Sequence, residues 1–528
     1  MTTLSSLLLA ITIVAHDPGY HTSLANHVKR WLGAENVAAQ VVTPAQMSAA
    51  LAHERLAFLV GFSEPSAAEM KTLRAYCARG GKLVVFHSAS PALGELMGVK
   101  PVGYRTASYP GEWSRMDFTT RVPVGLPRTI LQTSTALQRA RPIEGRSRVM
   151  AQWTDRAGKG TGEPAWLASS TGFWMTHVLL ADGDEELKAQ LLGALVGSIC
   201  PKSWSVAAHN ARVAARLTQL RTYAAQQKPR PGEIHAVWDH SGCGLHPGDW
   251  PRTLRTLRES HVTDLFVNVA GAAFAHYPSA VLPRSKTYAQ EGDQLAACLA
   301  AAKGTGIRVH AWLICFNATR GTPDRLEIFR KRGWRLKDSK GNLTEYLDPS
   351  NAAVRAHLLA AIDEIQARYA VSGIHLDFVR WGDTTVKPKN AAAVIAQFVA
   401  ETRRHVRHPK WLTAATYGSY PACIKSVGQD WLGWLDSGTI DYAVPMDYTE
   451  SNLKFEELML RYALAGKKRT QRIIAGLGVT ANESRLDARK VIDQINIARR
   501  YGLAGESLFD LDTTLEKGIL PYLRLGIW

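Results

Sequence analysis

Two aspartates stand where a pair of carboxyl groups could work on one bond from opposite sides. Asp377 lies in GIHLDFVRW, residues 373–381, and Asp447 lies in TIDYAVPMDY, residues 439–448. Each ends a short apolar stretch that reads as a strand. Hydrolysis of a glycosidic bond needs two such groups, one protonated to assist the leaving oxygen and one ionised as nucleophile or base. Their surroundings must therefore differ. Arg380 and His375 near Asp377 predict an ionised carboxylate, whereas Met446 and Tyr448 give Asp447 the more apolar setting expected of the acid. Asp510 in ESLFDL, with Asp512 just beyond it, Glu450 three residues after Asp447, and Asp239 in IHAVWDH are further candidates, any of which could replace Asp447 as the acid. An Asp at such a place also caps loops or pairs with a structural arginine. Two of them in register favour chemistry.

A sugar is gripped by aromatic faces and by planar hydrogen-bonding groups. Trp238, Asn268, Tyr277, His310, Trp312, Asn317, Trp381, Tyr417 and Tyr448 all fall near predicted strand ends. His310 and His235 raise a metal reading, but neither joins an HxH pair backed by a second carboxylate cluster. Core histidines with satisfied nitrogens are the expectation, with no metal and no cofactor. AGLGVT, residues 475–480, is a lone glycine pair and makes a weak phosphate loop.

These residues need a scaffold, and from Ile234 onward the chain supplies one. Eight strand-like segments recur: IHAVWDH, TDLFVNV, IRVHAWL, GIHLDFV, WLTAATYG, TIDYAVPMDY, RIIAGLG and ESLFDL. Helical patterns fill the gaps, for example 251–260, 293–303, 352–369 and 391–404. Eight βα units over 233–528 predict a (β/α)8 TIM barrel, whose chemistry sits at the C-terminal ends of the strands. Alternation then assigns faces. In the fourth strand Ile374, Leu376 and Phe378 should meet the helices, leaving His375 and Asp377 inside. In the sixth, Tyr442, Val444 and Met446 should point out and Asp441, Ala443, Pro445 and Asp447 in. In the eighth, Phe509 and Leu511 should point out and Asp510 in.

Residues 1–202 read as a second, doubly wound α/β domain in which short buried strands (ITIVAHD, LAFLVGFS, KLVVFHSAS) alternate with amphipathic helices. Between the domains, 203–232 reads as a basic helical linker, where Lys202 at its edge and Arg212, Arg216, Arg221, Lys228 and Arg230 meet no acid in the sequence. It supplies part of the net charge of +17 and suits either a solvated face or an acidic polymer. No nucleic-acid motif accompanies it. Six scattered cysteines without a CxxC pair argue against a zinc knuckle or a disulfide scaffold. LSSLLLAITIVA has the length of an export signal but no preceding basic residue, and it competes with a reading of AITIVAHDPGY as a first buried strand. No apolar run reaches membrane-spanning length. Export to the periplasm or exterior is the expectation, with the cytoplasm as the competing location.

Two resemblances can be stated on these motifs. GGKLVVFHSASPALGELMGV, residues 80–99, resembles the class I glutamine-amidotransferase-like, flavodoxin-like domains that accompany many glycosidases. The cysteine elbow of that class is replaced by Phe86-His87-Ser88-Ala89, so the resemblance implies a non-catalytic accessory domain. HAVWDH, HYPSAVLP, GIRVHAWL, YLDPSNAAVRAHLL and VSGIHLDFVRW follow one another in the order of the bacterial glycosyl-hydrolase-like family ten. That resemblance implies that Asp377 lies in the active site, that Tyr277 and His310 line it, and that Asp348 starts the helix leading to strand four. Phe378, Arg380 and Trp381 depart from the family's usual residues after the strand-four Asp. Beyond residue 390 the resemblance thins, and Asp447 rests on alternation.

Together these readings predict a glycoside hydrolase of bacterial or other polysaccharides, including peptidoglycan glycan strands. Asp377, Asp447 and Asp510 form its catalytic set; Trp238, Asp239, Asn268, Tyr277, His310, Trp312, His375, Arg380, Trp381, Tyr417, Tyr448 and Glu450 bind substrate. Its competitor is a glycan-binding barrel without catalysis, since an aromatic groove serves either role. A third reading is an esterase or amidase centred on Ser88 or His87.

Overall fold

The computed structural model describes residues 11–109, 111–155, 158–181 and 184–528. Most of the apolar stretch weighed as an export signal lies outside the described residues. The chain divides into two units, Met1–Arg216 and Leu217–Trp528.

The first unit is built on a nine-stranded mixed sheet. Its parallel half comprises Ile11–Ala15, Ala39–Val42, Leu56–Val60 and Lys82–Phe86, joined by Gly172–Met175. Trp31 and Leu32 of helix Tyr20–Ala34 and Leu191 and Leu195 of helix Glu185–Ile199 cover one face. Leu73 and Tyr76 of helix Ala67–Ala78 and Leu93 of helix Pro91–Met97 cover the other. Coverage on both faces explains why these strands read as unbroken apolar runs. An antiparallel half, Gly160–Ser169, Ser147–Thr154, Trp113–Phe118 and Thr129–Ser134, extends the sheet. Ser88 is fully buried, donates to the Phe62 carbonyl and accepts from the Ser90 amide. It is thus held as a turn former, which opposes its reading as a nucleophile. Helix Val206–Ala225 carries the basic stretch. Arg212 and Arg216 find distant acids in Glu35 and Glu186, each at 2.5 Å.

The second unit is a closed barrel of eight parallel strands: β1 (Ile234–Asp239), β2 (Asp264–Gly271), β3 (Arg308–Ile314), β4 (Gly373–Asp377), β5 (Trp411–Tyr417), β6 (Tyr442–Met446), β7 (Ile474–Gly478) and β8 (Gly505–Phe509). Each pairs with its neighbour, and β8 pairs with β1 to close the ring. Ile374 and Leu376 of β4 pack in the layer between strands and helices, with Val309, Leu313, Leu412 and Leu508. The helix before β4 starts at Ala352 behind an Asn351 cap; Asp348, expected to start it, instead closes the preceding turn through the Ser350 amide.

The interior is filled in layers. At the floor Asp264 binds Arg308 at 2.6 and 2.8 Å and His310 at 2.8 Å. Around and above them Ile234, Ala236, Trp238, Phe266, Val444 and Ile474 form the apolar interior cluster. Val444 therefore points inward and Ala443 outward, so the faces of β6 are the reverse of those expected. The eighth strand corrects in the same way: Phe509 packs on the interior cluster, and only Leu511 joins the outer layer. Phe378 also departs from expectation. Its φ of +48° ends β4 in a left-handed turn, and its ring leaves the helix layer.

The outer face of β4 is thus a load of closely packed apolar side chains. Leu376→Ala should cost about 2–5 kcal/mol of stability, read as a lower urea midpoint of the barrel unit at unchanged slope.

Candidate active site

The strands deliver their C-terminal residues to a cavity of about 670 Å³ at the barrel mouth. Trp238, Trp312, Tyr448 and Phe509 give it aromatic walls, and Asp377, Asp447, Asp510, Glu483, Arg380 and Lys454 give it charge.

Asp377 is seated by its own strand end. Its Oδ1 accepts the amide of Phe378 at 2.6 Å, and its Oδ2 accepts the indole N–H of Trp312 at 3.2 Å. Arg380 Nη1 stands 3.8 Å from Oδ1. Burial raises the proton affinity of Asp377 from its ordinary value, and Arg380, the Phe378 amide and Trp312 oppose that rise. Arg380 is itself 5% exposed and stacks over the rings of Phe378 and Tyr417, with its guanidinium carbon 3.8 and 4.7 Å from their centres.

Asp447 lies just past β6. The Tyr462 hydroxyl, from helix Asn452–Leu464, donates to its Oδ1 at 2.6 Å. Oδ2 is buried and meets no partner among the described residues. Burial pushes this carboxyl well above the usual range, and the Tyr462 hydrogen bond only partly offsets it. A β-carbon on Gly418 would stand 2.2 Å from Asp447 Oδ1, so this neighbour must lack a side chain. Asp510 accepts the Thr480 hydroxyl at 2.6 Å.

Below the mouth His375 accepts the Trp238 indole N–H at Nε2 (2.9 Å), so its proton is on Nδ1, 2.8 Å from the Thr413 hydroxyl. Burial holds the ring neutral. His375 therefore orients Trp238 and adds no positive charge near Asp377, contrary to its expected role.

Of the residues expected to bind substrate, Trp238, Trp312, Arg380, Tyr417 and Tyr448 line the cavity with the three aspartates. Seven others are placed elsewhere. His310 sits at the floor with Asp264. Tyr277 is buried, with its hydroxyl on Glu364 at 3.0 Å in the helix layer. Trp381, expected as an open platform, is 3% exposed and donates to the Val386 carbonyl at 3.0 Å. Asp239 caps the loop after β1 through Ser241 Oγ and the amides of Gly242 and Gly244; burial raises it to about 6. Glu450 is exposed and accepts the Arg485 amide at 3.1 Å. Asn268 is fully buried and, like His375, forms no part of the cavity wall.

His240, Phe378, Thr480, Glu483 and Lys454 line the cavity without having been singled out. His240 directly follows β1, and a survey of every residue after a strand end would have found it. Glu483 arrives on the loop after β7, whose sequence carries no regular pattern.

Comparisons with known proteins give three findings. The sequence profile of a family described as glycosyl hydrolase-like 10 matches residues 250–404, a segment that holds Asp377 but ends before Asp447. Among solved structures, the chain is similar to the PgaB (BpsB) glycoside hydrolase domain from Bordetella bronchiseptica, at 12% identity and a TM-score of 0.44 over 56% of this chain and 100% of that one. It is also similar to a class V chitinase from Pseudomonas fluorescens Pf-5 (13%, TM-score 0.38, 56% of this chain and 99% of that one) and to the Bacillus cereus spore cortex-lytic enzyme SleL (10%, TM-score 0.38, 57% and 76%). No curated protein matches the chain.

The seat of Asp447 has a consequence for stability. Its folded-state pKa is raised, so its contribution is fully present below the unfolded value and lost as pH rises through the folded one. Asp447→Asn carries no such proton. The melting temperature of the native protein should fall more steeply than the variant's from acid to alkaline pH. Parallel curves would show that Asp447 is not held protonated by burial.

Proposed function

We propose that this protein is a glycoside hydrolase of polysaccharides, with Asp447 as general acid and Asp377 as nucleophile or base. The observation that carries the reading is the meeting of these two carboxyls in one aromatic-walled cavity with unequal seats. Asp377 has a cation beside it and two hydrogen-bond donors. Among the described residues Asp447 has no ion-pair partner, one side-chain donor and an Oδ2 without a partner. Two carboxyls pushed apart in proton affinity are what protonation of a leaving oxygen together with attack at the anomeric carbon requires.

In the proposed reaction a sugar ring stacks on the aromatic wall, with its scissile oxygen toward Asp447 Oδ2. Asp447 gives up its proton as the bond breaks, while Asp377 either attacks or draws a proton from attacking water. Asp510, with the Thr480 hydroxyl on one oxygen, is a third carboxyl available to orient sugar hydroxyls or water. The match of residues 250–404 to a glycosyl-hydrolase-like family supports the assignment on the Asp377 side; on the Asp447 side the support is geometric. Peptidoglycan glycan strands are within the proposed substrate range. In the same proposal 1–202 is an accessory domain of amidotransferase-like descent, 203–232 links it to the barrel of 233–528, and the protein works outside the cytoplasm. No helix among the described residues is long and apolar enough to cross a membrane.

Asp377→Asn and Asp447→Asn should each lower the release of reducing ends from a responsive polysaccharide by at least about a hundredfold, while glycan retention in affinity electrophoresis persists. Normal digestion by both variants would refute the assignment. Binding by the native protein with no reducing ends released from any glycan would replace the hydrolase with a glycan-binding barrel.

A further inference from the structure

Three side chains with ligand atoms converge at the other end of the barrel, where β8 closes onto β1. His235 and Glu506 are register partners across that seam, and Glu233 lies just ahead of β1. One ligand atom from each stands within 4.8 Å of the others. All three residues are buried, Glu506 completely.

Converging acids alone do not make a site, but two further observations point to a cation. Nδ1 of His235 is 3.0 Å from the His261 carbonyl, which can only accept, so the proton sits on Nδ1. Nε2 faces Glu233 Oε2, 3.3 Å away, a gap that either a second ring proton or a metal ion can bridge. The second observation concerns Glu506. Its Oε1 takes the indole N–H of Trp528, while Oε2 is buried with no partner among the described residues. A buried carboxylate oxygen without a donor demands a proton or a metal.

Each of the three is also held from behind. His261 places a proton on Nδ1 of His235, Trp528 fixes Glu506, and Arg499 holds both oxygens of Glu233, with Nε 3.0 Å from each and Nη2 also on Oε2. The Trp528 ring stacks on His235 with centres 4.9 Å apart and planes within 6°. Outer hydrogen bonds that fix a ligand imidazole and ligand carboxylates are the usual surroundings of a protein metal site. One imidazole and two carboxylates suit a divalent cation of the zinc class, with water completing the shell. Glu233 also borders a cavity of about 540 Å³ at the barrel floor.

We propose that Glu233, His235 and Glu506 bind one divalent transition-metal cation, Zn²⁺ foremost, which staples β1 to β8 and so locks the closure of the barrel. The site is separate from the mouth and does not depend on what the mouth does. Arg499, from helix Ala488–Arg500, donates to both oxygens of Glu233, so His235 and the unpartnered Glu506 Oε2 offer the free lone pairs, and Glu233 would bind the ion through an oxygen it shares with Arg499. The competing occupant is a proton shared between His235 and Glu233.

The test uses the full chain, stripped with a chelator, dialysed, and titrated with Zn²⁺ by calorimetry and with Co²⁺ by its visible absorption. One equivalent should bind, with a melting temperature several degrees higher in Zn²⁺. Glu506→Gln should weaken binding by at least about tenfold, and Trp528→Phe, which removes an outer hydrogen bond and trims the ring stacked on His235, by about tenfold. No binding to the stripped native chain, with an unmoved melting temperature, would leave a shared proton only and overturn the proposal. So would full-strength binding by a Glu506→Gln variant of native circular dichroism. If that variant does not fold, the native Zn²⁺ titration and the Co²⁺ spectrum still decide.

Discussion

The mouth of this barrel depends on how β4 ends. Asp377 accepts the amide of the residue that follows it, and this fixes Phe378 in a left-handed turn that few residues other than glycine adopt freely. Such a turn costs on the order of 1–3 kcal/mol and is kept only where the surroundings enforce it. Here the enforcement comes from the Trp312 indole on the other carboxylate oxygen and from Arg380 stacked on the Phe378 ring. One short interaction thus sets the carboxylate, turns an aromatic ring into the cavity and brings a cation to within 3.8 Å of Asp377. Beneath it, neutral His375 holds the Trp238 indole, so the wall facing Asp377 is fixed by the same inward set of residues.

The opposite carboxyl is governed by a different force. Asp447 is 1% exposed and forms no ion pair among the described residues, so desolvation decides its state. Arg380 reaches only one of the two acids. That asymmetry separates two chemically identical groups, and it arises because β4 is followed by an arginine within one turn whereas β6 is followed by tyrosine and threonine.

Much of this was legible in the sequence, and the misses have physical causes. The eight strands were recognisable because each is a short apolar run flanked by turn residues, and the outward packing of Ile374 and Leu376 followed from period-two alternation. The same rule failed in β6 and β8. There both faces are apolar: Val444 fills the interior while Ala443 meets the helices, so alternation carries no sign. Asp447 nevertheless lines the cavity because it lies beyond the last strand residue, where the chain no longer alternates. The positions of Trp381 and Tyr277 near strand ends predict sugar platforms, yet an aromatic ring in a loop is as readily buried as offered. Only the Val386 carbonyl and Glu364 show where their polar atoms go. Lys454 and Glu483 could not be read from motifs, since each reaches the mouth through the path of a connection. The acid cluster at the seam was hidden for a related reason: Glu506 is separated from His235 by nearly the whole barrel in sequence and by one strand spacing in space.

The central claim is that the two aspartates at the mouth differ in proton affinity, with Asp447 keeping its proton where Asp377 has lost it. Infrared difference spectroscopy of the carboxyl stretch, comparing the native chain with Asp377→Asn and with Asp447→Asn across a pH titration, measures this directly. The account predicts protonated-carboxyl absorption in native protein and in Asp377→Asn that loses one component in Asp447→Asn, the component that persists to high pH, while the bands of other buried carboxyls such as Asp239 and Glu506 remain in all three. Ionisation of both groups together in the ordinary carboxylate range would contradict it.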